Sequence, residues 1–531
     1  MKAKRYILIL LAVSLLLLSG CNKKEEADGA FSSEAGEFMV YEKLGEDTLY
    51  LSVWGFDTFN PIATSSEAVA DAAFLAFDPL FRMDKDYRAV PMLASGYSVS
   101  DDRLTYEINL RDKVKFHDGT DFTAADVVYT VNEIYGLGVT SQFYENVLNI
   151  EEIKEKGKGS VVIKLFSPDP LFVNNLTFPI VKKGYSSEEK ITEPVGTGPF
   201  RFVKSSLVRA MYFEANEEYF LGTPKIKNAV CKLIPEKDMQ TYTLEAGQGD
   251  AACVTEEALS QYNPKGAVKT VYYNNRNLTF IGINTKKAFL SYQKARQAIN
   301  KAIDRKDIVD SVMYGNGEAV NLPFPYNSFI YPEEYKDTNK DTAAAVSLLT
   351  EAGFEKDTDG IFVLKEDGEV KTRAKVGILV NLENEQRVLA AEKIKASLLQ
   401  AGISAYIDKT DFETYKMRIE TGEYDMFIGE VKTKLSFNPT ALAGRDAHFS
   451  IYSSESMEEA IRKVRLSSGD EEIKQAYHEL SACYMEKLSF ISLFFERDAM
   501  LVSSALKNAD FAVSKNEFSN LYLWEKNKES E

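Results

Sequence analysis

Cys21 is the first residue of this chain whose type and setting point to a reaction. It follows Leu18-Ser19-Gly20, at the end of an apolar run from Ile7 to Leu18 that lies behind Lys2, Lys4 and Arg5. A run of about twelve residues suits the core of a signal peptide and falls short of the roughly 20 that a spanning helix needs. Two small residues before a cysteine, after such a run, read as a bacterial lipobox. The expected chemistry is transfer of a diacylglyceryl group to the Cys21 thiol and cleavage before it. Acyl chains there would hold the chain to the extracytoplasmic face of the bacterial cell membrane. The competing reading is a plain signal peptide with an incidental cysteine.

Other reactive patterns are missing. The chain has no Gly-x-Ser-x-Gly elbow, no Gly-x4-Gly-Lys-Ser/Thr loop, no His-Glu-x-x-His and no Cys-x-x-Cys. Gly-x-Gly occurs at Gly136, Gly157, Gly196, Gly247 and Gly315, never with the third glycine of a dinucleotide loop. The histidines are only His117, His448 and His478, too few and too scattered for a His-based metal site. Neither a catalytic residue nor a cofactor nor a metal is expected, and the chain does not read as an enzyme. The remaining cysteines are Cys231, Cys253 and Cys483. An odd number allows at most one bridge. Cys231 and Cys253 lie on what read as consecutive strands, so a bridge is open to them, but three small buried thiols is the favoured reading.

The elements that must position any site come from 531 residues with 45% hydrophobic and 27% charged content, the profile of a multidomain globular protein. The net charge of -17 argues against nucleic acid as a partner, because phosphate affinity comes from Lys and Arg. Asn22 to Phe38 is polar and without apolar period, a flexible tether. Thr48–Val53, Leu104–Leu110 and Val161–Phe166 read as strands. Ser66 is expected to cap a helix running from Glu67 through Leu80, and Thr123 with Asp126 forms a near capping box. His117-Asp118-Gly119 is a turn signal, and Glu193–Phe200 reads as a loop or crossover. Leu244–Val254 (LEAGQGDAACV) and Ile419–Ile428 (IETGEYDMFI) share Glu-x-Gly-x-x-Asp before an apolar run. Each reads as a helix that stops at a glycine and feeds a strand. Ala229–Ile234 with Asp238–Ala246 precedes the first copy, and Lys375–Leu382 with Asn384–Ala401 the second. Two βαβ units far apart in the chain imply an α/β sheet in each of two lobes, with a cleft between them.

Leu104–Ile134 (LTYEINLRDKVKFHDGTDFTAADVVYTVNEI) closely resembles the signature of the family 5 extracellular solute-binding proteins, the peptide, dipeptide and nickel binding subunits of ABC importers. The matching residues are Leu110, Arg111, Val114, Phe116, His117, Asp118, Gly119, Thr120, Ala124, Asp126, Val127 and Val128. Phe56–Pro61, Val90–Ala94, Val195–Phe200 and Thr279–Arg305 continue the resemblance in order. It implies an α/β, two-lobed periplasmic-binding-protein-like fold of the large type, with an additional α+β subdomain inserted in the first lobe. The expected division is 1–20 signal peptide, 21–38 tether, 39–66 with 196–277 and 495–531 as lobe I, 67–195 as the inserted subdomain, and 278–494 as lobe II. Ligand would be enclosed by closure about a hinge.

The resemblance further implies a monomeric, lipid-anchored subunit that binds a peptide or other small polar solute and works with ABC permease and ATPase subunits. A sensory lipoprotein that binds a peptide signal, or an importer subunit for a non-peptide anionic solute, is the alternative. The missing nucleophile motifs speak against a secreted hydrolase. His117 and Asp126 read as structural. Arg296 and Asp304 flank a helix surface and are candidates for pairing across lobes, with structural ion pairing favoured. In peptide-binding members a Gly-Trp-x-x-Asp stretch holds the peptide ammonium. The corresponding Gly429–Pro439 (GEVKTKLSFNP) lacks both the tryptophan and the aspartate. The candidate ligand residues are therefore Glu430, as a replacement carboxylate, and Lys432 and Lys434, which an extended segment would put on one side. Phe437 and Asn438 close the same stretch. Thr64, Ser65 and Ser66, before a helix start, would suit a polar or anionic ligand end. With 28 tyrosines, 32 phenylalanines and two tryptophans, a Tyr/Phe pocket wall is expected.

Overall fold

The computed structural model describes residue 45 and residues 47–527, apart from 186–189, 207–208, 256–257, 260–266, 439–453, 516 and 519. The signal peptide, Cys21 and the tether therefore lie outside the described residues. The first strand, β1 (Thr48–Trp54), is buried on both faces, as a strand inside a parallel sheet must be. Ser66 then donates to Trp54 O (2.7 Å) and accepts from Val69 N–H (3.3 Å), which caps α1 (Glu67–Ala72) as expected. The helix is shorter than its apolar spacing predicts. It passes into a 3₁₀ turn at Ala73–Leu75 and stops well before Leu80. Pro79 disfavours helical geometry at Asp78. The Ala76 carbonyl accepts from Gly198 N–H (2.9 Å) in the crossover.

The inserted region carries a four-stranded antiparallel sheet of β2 (Ala94–Val99), β3 (Thr105–Leu110), β4 (Ile150–Glu155) and β5 (Ser160–Leu165), in the order β2-β3-β5-β4. β3 alternates, and Tyr106, Ile108 and Leu110 point into the core. Between β3 and β4 lies α2 (Ala124–Leu137). Asp126 Oδ2 accepts from Thr123 N–H (2.8 Å) and Oγ1 (3.0 Å), and Oδ1 accepts from Lys183 N–H (2.8 Å), so this carboxylate serves its own helix start. In the turn before it, Asp118 accepts from Thr120 N–H (3.1 Å), and Gly119 sits at φ +81°. His117 clamps the crossover. It accepts from Gly196 N–H at Nδ1 (3.3 Å), which leaves Nε2 to donate to Gly198 O (3.0 Å). Burial pushes its pKa down.

The chain then returns through β6 (Phe200–Ser206), β7 (Ala210–Ala215), β8 (Asn228–Ile234), α3 (Met239–Glu245) and β9 (Ala251–Val254). β8 and β9 pair in parallel with β1, one on each side. The 16-residue strand β10 (Val268–Ile283) leads into the second lobe. That lobe contains α4 (Gln293–Ala302), α5 (Arg305–Val312), β11 (Gly317–Ala319) and α6 (Thr342–Glu351). After them come β12 (Lys375–Asn381), α7 (Glu385–Gln400), β13 (Ser404–Thr410), α8 (Phe412–Thr421) and β14 (Met426–Lys432). Two helices, α9 (Glu455–Leu466) and α10 (Asp470–Lys487), precede β15 (Phe490–Ser503), which runs back toward the first lobe. One 11-stranded sheet results, in the order β13-β12-β14-β10-β15-β9-β1-β8-β7-β6, with β11 paired to β15 off this path. The expected α/β class and two-lobed build are present.

The repeated Glu-x-Gly-x-x-Asp has a structural meaning. α3 and α8 end at Gly247 (φ +64°) and Gly422 (φ +72°), and each feeds a strand parallel to a central one. In the second lobe the elements just before the motif are β13 and α8, so Lys375–Leu382 matches β1 in role rather than β8. Cys231 and Cys253 are both unbridged. Their strands are consecutive in sequence, but β1 lies between them. Two strand spacings are about 9–10 Å, beyond the reach of a disulfide.

The partners described for Arg296 and Asp304 all lie between residues 290 and 488, within the stretch expected to form one lobe. Arg296 is buried and donates to the carbonyls of Leu290, Ser291, Lys487 and Leu488 at 2.7–3.2 Å. Asp304 caps α5 through Asp307 N–H (3.1 Å) and pairs with Lys340 at 3.0 Å. Among the described residues no helix is long and apolar enough to cross a membrane.

Candidate functional site

β10 and β15 pair with each other on both sides of a break in register. Val268–Asn274 of β10 pairs with Arg497–Ser503, and Leu278–Gly282 pairs with Phe490–Phe495. The register breaks at Asn275–Asn277, opposite Glu496. Arg276 takes φ +73° there, a conformation unusual for a non-glycine residue. Its carbonyl accepts from Thr433 N–H (2.9 Å), and its Nη1 donates to Thr433 O (3.2 Å), so the break is fastened to the end of β14.

A cavity of about 360 Å³ opens at this break. Its walls are the carboxyl ends of β1 (Trp54), β9 (Val254) and β14 (Lys432), together with Tyr273, Asn275 and Asn277 of β10 and Glu496 and Asp498 of β15. α1 adds Glu67 and Asp71, and the C-terminal segment adds Lys515 and Glu517. Carboxyl ends of parallel strands are where α/β sheets place ligands, because the loops that follow can diverge there. The lining carries both signs of charge: Glu67, Asp71, Glu496, Asp498 and Glu517 against Lys237, Lys432 and Lys515. Lys237 lies 5.6 Å from the Trp54 ring centre.

Residues 88–444 match the family described as bacterial extracellular solute-binding proteins, family 5 Middle. The chain belongs to this family. Family 5 solute-binding proteins are transport binding proteins rather than enzymes. The chain is 23% identical to the oligopeptide-binding protein AppA of Bacillus subtilis (strain 168), over 99% of each chain. It is 26% identical to the glutathione-binding protein GsiB of Salmonella typhi, over 85% of this chain and 88% of that one. Among solved structures it resembles NikZ from Campylobacter jejuni, in complex with Ni(L-His), with a TM-score of 0.57 and 25% identity. That match covers 91% of this chain and 100% of NikZ.

Within this family 5 protein the sequence-derived candidates part company. Lys432 lines the cavity, where burial and then Arg276 and Lys515 pull its pKa down. Lys434 is exposed and is not a lining residue. β14 ends at Lys432, and a turn closed by Phe437 N–H on Lys434 O (3.0 Å) breaks the extended run that would have aligned the two lysines. Glu430 also stays off the cavity wall. It faces Arg387 Nη2 at 3.5 Å, so its charge is answered inside its own lobe. Burial and then Glu496 push its pKa up.

Phe437 is buried at φ +50°. Its ring meets Tyr87 edge-on at 5.8 Å, and its carbonyl accepts from Tyr477 Oη at 3.1 Å. It thus packs the inserted region against the second lobe. Asn438, half-buried, follows it.

Thr64 and Ser65 surround an anion, but it is the chain's own. Asp57 accepts from Thr64 Oγ1 (2.5 Å), Ser65 N–H (2.7 Å) and Ser65 Oγ (2.9 Å), as well as from Thr58 N–H (2.7 Å). Ser66 is used as the helix cap. The aromatic wall is Trp54 and Tyr273, with no phenylalanine among the described lining residues. Of the lining residues that the reading above did not single out, Asp71 carried a local signal, as the one acid between Ala68 and Phe77. Glu496 and Glu517 carried none, because chain closure from a distant strand and tail brings them in.

Proposed function

We propose that this protein is the lipid-anchored substrate-binding subunit of an ABC importer, which captures a peptide or similar polar solute between its lobes and delivers it to a membrane permease. The supporting observation is the cavity at the register break, walled from both lobes and lined by carboxylates and ammonium groups together. A zwitterionic solute matches such a lining. The oligopeptide named for AppA and the glutathione named for GsiB are both of that kind. No histidine is among the described lining residues, so the Ni(L-His) bound by NikZ would be held here through other groups. The lobe boundaries that fit this role are 39–66, 196–277 and 495–531 for lobe I, 67–195 for the inserted subdomain and 278–494 for lobe II. Closure would turn about Asn275–Asn277 and Glu496, and ligand would stabilise the closed form. Anchoring through Cys21 would keep the cavity near the permease, with the protein acting as a monomer.

The test is native mass spectrometry of the protein extracted gently from membranes, followed by denaturation and identification of what is released. A ladder of short peptides is the expected outcome. A single anionic solute would replace the peptide reading with a non-peptide importer built around Lys432. In parallel, Cys21→Ser should move the protein from the membrane fraction to the soluble one. Retention on the membrane would refute the anchor.

A further inference from the structure

One part of the cavity wall has no counterpart among the ligand residues discussed so far. Glu517 is only 6% exposed, yet it lines the cavity. Its Oε1 accepts from Lys515 N–H (2.9 Å), while Oε2 has no hydrogen-bond partner among the described residues that would donate to it as a carboxylate. Asp71, from α1, lines the same cavity, near enough for the charge of Glu517 to act on it. Neighbouring carboxylates oppose each other's ionisation, which favours a proton held by the pair. Burial pushes both pKa values up, and at Asp71 the neighbouring Glu517 adds to it.

Of the groups around the pair only Lys515 is cationic, and its charge draws both pKa values back without cancelling the effect of burial. Cys253 of β9, Tyr273 of β10, Asp498 of β15 and Glu67 of α1 are neutral or acidic. Lys515 donates to Gln142 Oε1 (2.8 Å) and lies 4.0 Å from Glu67. A buried carboxyl pair with an open acceptor, on the wall of a ligand cavity, is the arrangement that an incoming ammonium or guanidinium group completes.

We infer that Asp71 and Glu517 form a subsite for a cationic group of the ligand other than a peptide's α-ammonium, such as a lysine or arginine side chain. This rests on the importer reading above and assigns the lobe I end of the cavity. The cation would take the place of the shared proton, which leaves to solvent on binding. Lys432, on the opposite wall, would face the ligand's anionic end.

The probes are the tripeptides Ala-Lys-Ala, Ala-Ala-Ala and Ala-Glu-Ala and the non-peptide cations agmatine and cadaverine. All are titrated calorimetrically into the membrane-extracted protein, in two buffers of different ionisation enthalpy. Ala-Lys-Ala should bind at least tenfold more tightly than Ala-Ala-Ala, with proton release that Ala-Ala-Ala does not cause. In Glu517→Gln, and independently in Asp71→Asn, the ratio should fall toward one and the proton release should vanish. Thermal unfolding checks that each variant is folded. Equal binding of all three tripeptides overturns the subsite and leaves peptide import standing. Binding of agmatine or cadaverine without any peptide, lost in Glu517→Gln, keeps the subsite and removes the peptide reading. Binding of no cationic probe overturns the subsite.

Discussion

Asn277 donates from Nδ2 to Glu496 Oε2 at 2.9 Å, across the point where β10 and β15 lose register. Asn275 reaches the same oxygen at 3.3 Å and Asp498 Oδ1 at 3.3 Å. Side-chain bonds thus replace ladder bonds where the two lobes meet. They can lengthen or re-form with less disruption than a continuous ladder. Glu496→Ala should loosen this crossing. The ligand-free protein should show a broader or larger radius of gyration by solution scattering, and ligand affinity should drop by about threefold to tenfold as the closure-competent fraction falls. An unchanged scattering profile with unchanged affinity would argue against a hinge here.

The two lysines of the stretch after β14 should separate in function. Lys432→Ala should weaken binding of the co-purifying ligand by more than about tenfold, or about 1.4 kcal/mol. Lys434→Ala should stay within about twofold, since its side chain is not part of the cavity wall. Isothermal calorimetry of the two variants decides it, and equal losses would contradict the placement of β14.

Asp57 should make stability depend on acid pH. Burial pushes its pKa up, but the Thr64 hydroxyl and the donors of Ser65 and Thr58 outweigh this and hold it below the ordinary value. A depressed folded pKa contributes stability above the unfolded value near 4, and that stability is lost as pH falls through the lower folded value. Asp57→Ala should cost about 2 kcal/mol at pH 7, from lost charge-assisted hydrogen bonds. It should also flatten the loss below pH 4. Urea unfolding at pH 7 and pH 3 measures both.

Asp78 should act with the opposite sign. It is buried, accepts from Tyr219 Oη (2.7 Å) and Thr197 Oγ1 (2.9 Å), and burial raises its pKa to about 7 against that pull. A raised folded pKa means that stability is present below the unfolded value near 4 and is lost as pH rises toward 7. Asp78→Asn, neutral at every pH, should remove that decline. Relative to the parent its melting temperature should rise between pH 5 and pH 8, and a parallel shift of both proteins would refute the assignment.

Gly198 should tolerate no side chain. A Cβ there would lie 2.4 Å from the Ala76 carbonyl carbon, where the crossover presses on the turn after α1. Gly198→Ala should destabilise by about 3 kcal/mol or more. Gly136, in α2 with open space around it, is the control. Gly136→Ala should be neutral or stabilising by up to about 1 kcal/mol. Chemical denaturation of both variants tests the contrast.

Much of the scaffold was legible because it depends on local rules. Ser66 and Asp126 sit at helix starts and do there what short polar side chains do. The repeated Glu-x-Gly-x-x-Asp was readable as helix, stop and strand. Its aspartates turn out to share a further task. Asp250 accepts from Tyr50 N–H (2.8 Å) and Asp425 from Gly377 N–H (2.9 Å), in each lobe on the third residue of the central strand. No local pattern announces that, because the partner strand lies far away in sequence.

The site divided along the same line. Residue types, their periodicity and the resemblance determined an α/β solute-binding protein and brought attention to the stretch after Gly429. Tertiary closure decided which of those residues line the cavity. It kept Lys432, turned Lys434 and Phe437 away, answered Glu430 with Arg387, and gave the hydroxyls of Thr64 and Ser65 to Asp57. It also brought Trp54, Asp71, Glu496 and Glu517 together from four separate segments. The physical reason is that a helix cap or a turn is satisfied by neighbours a few residues away. A cavity wall is set by where a sheet ends and by which distant charges are left without partners once the core has closed.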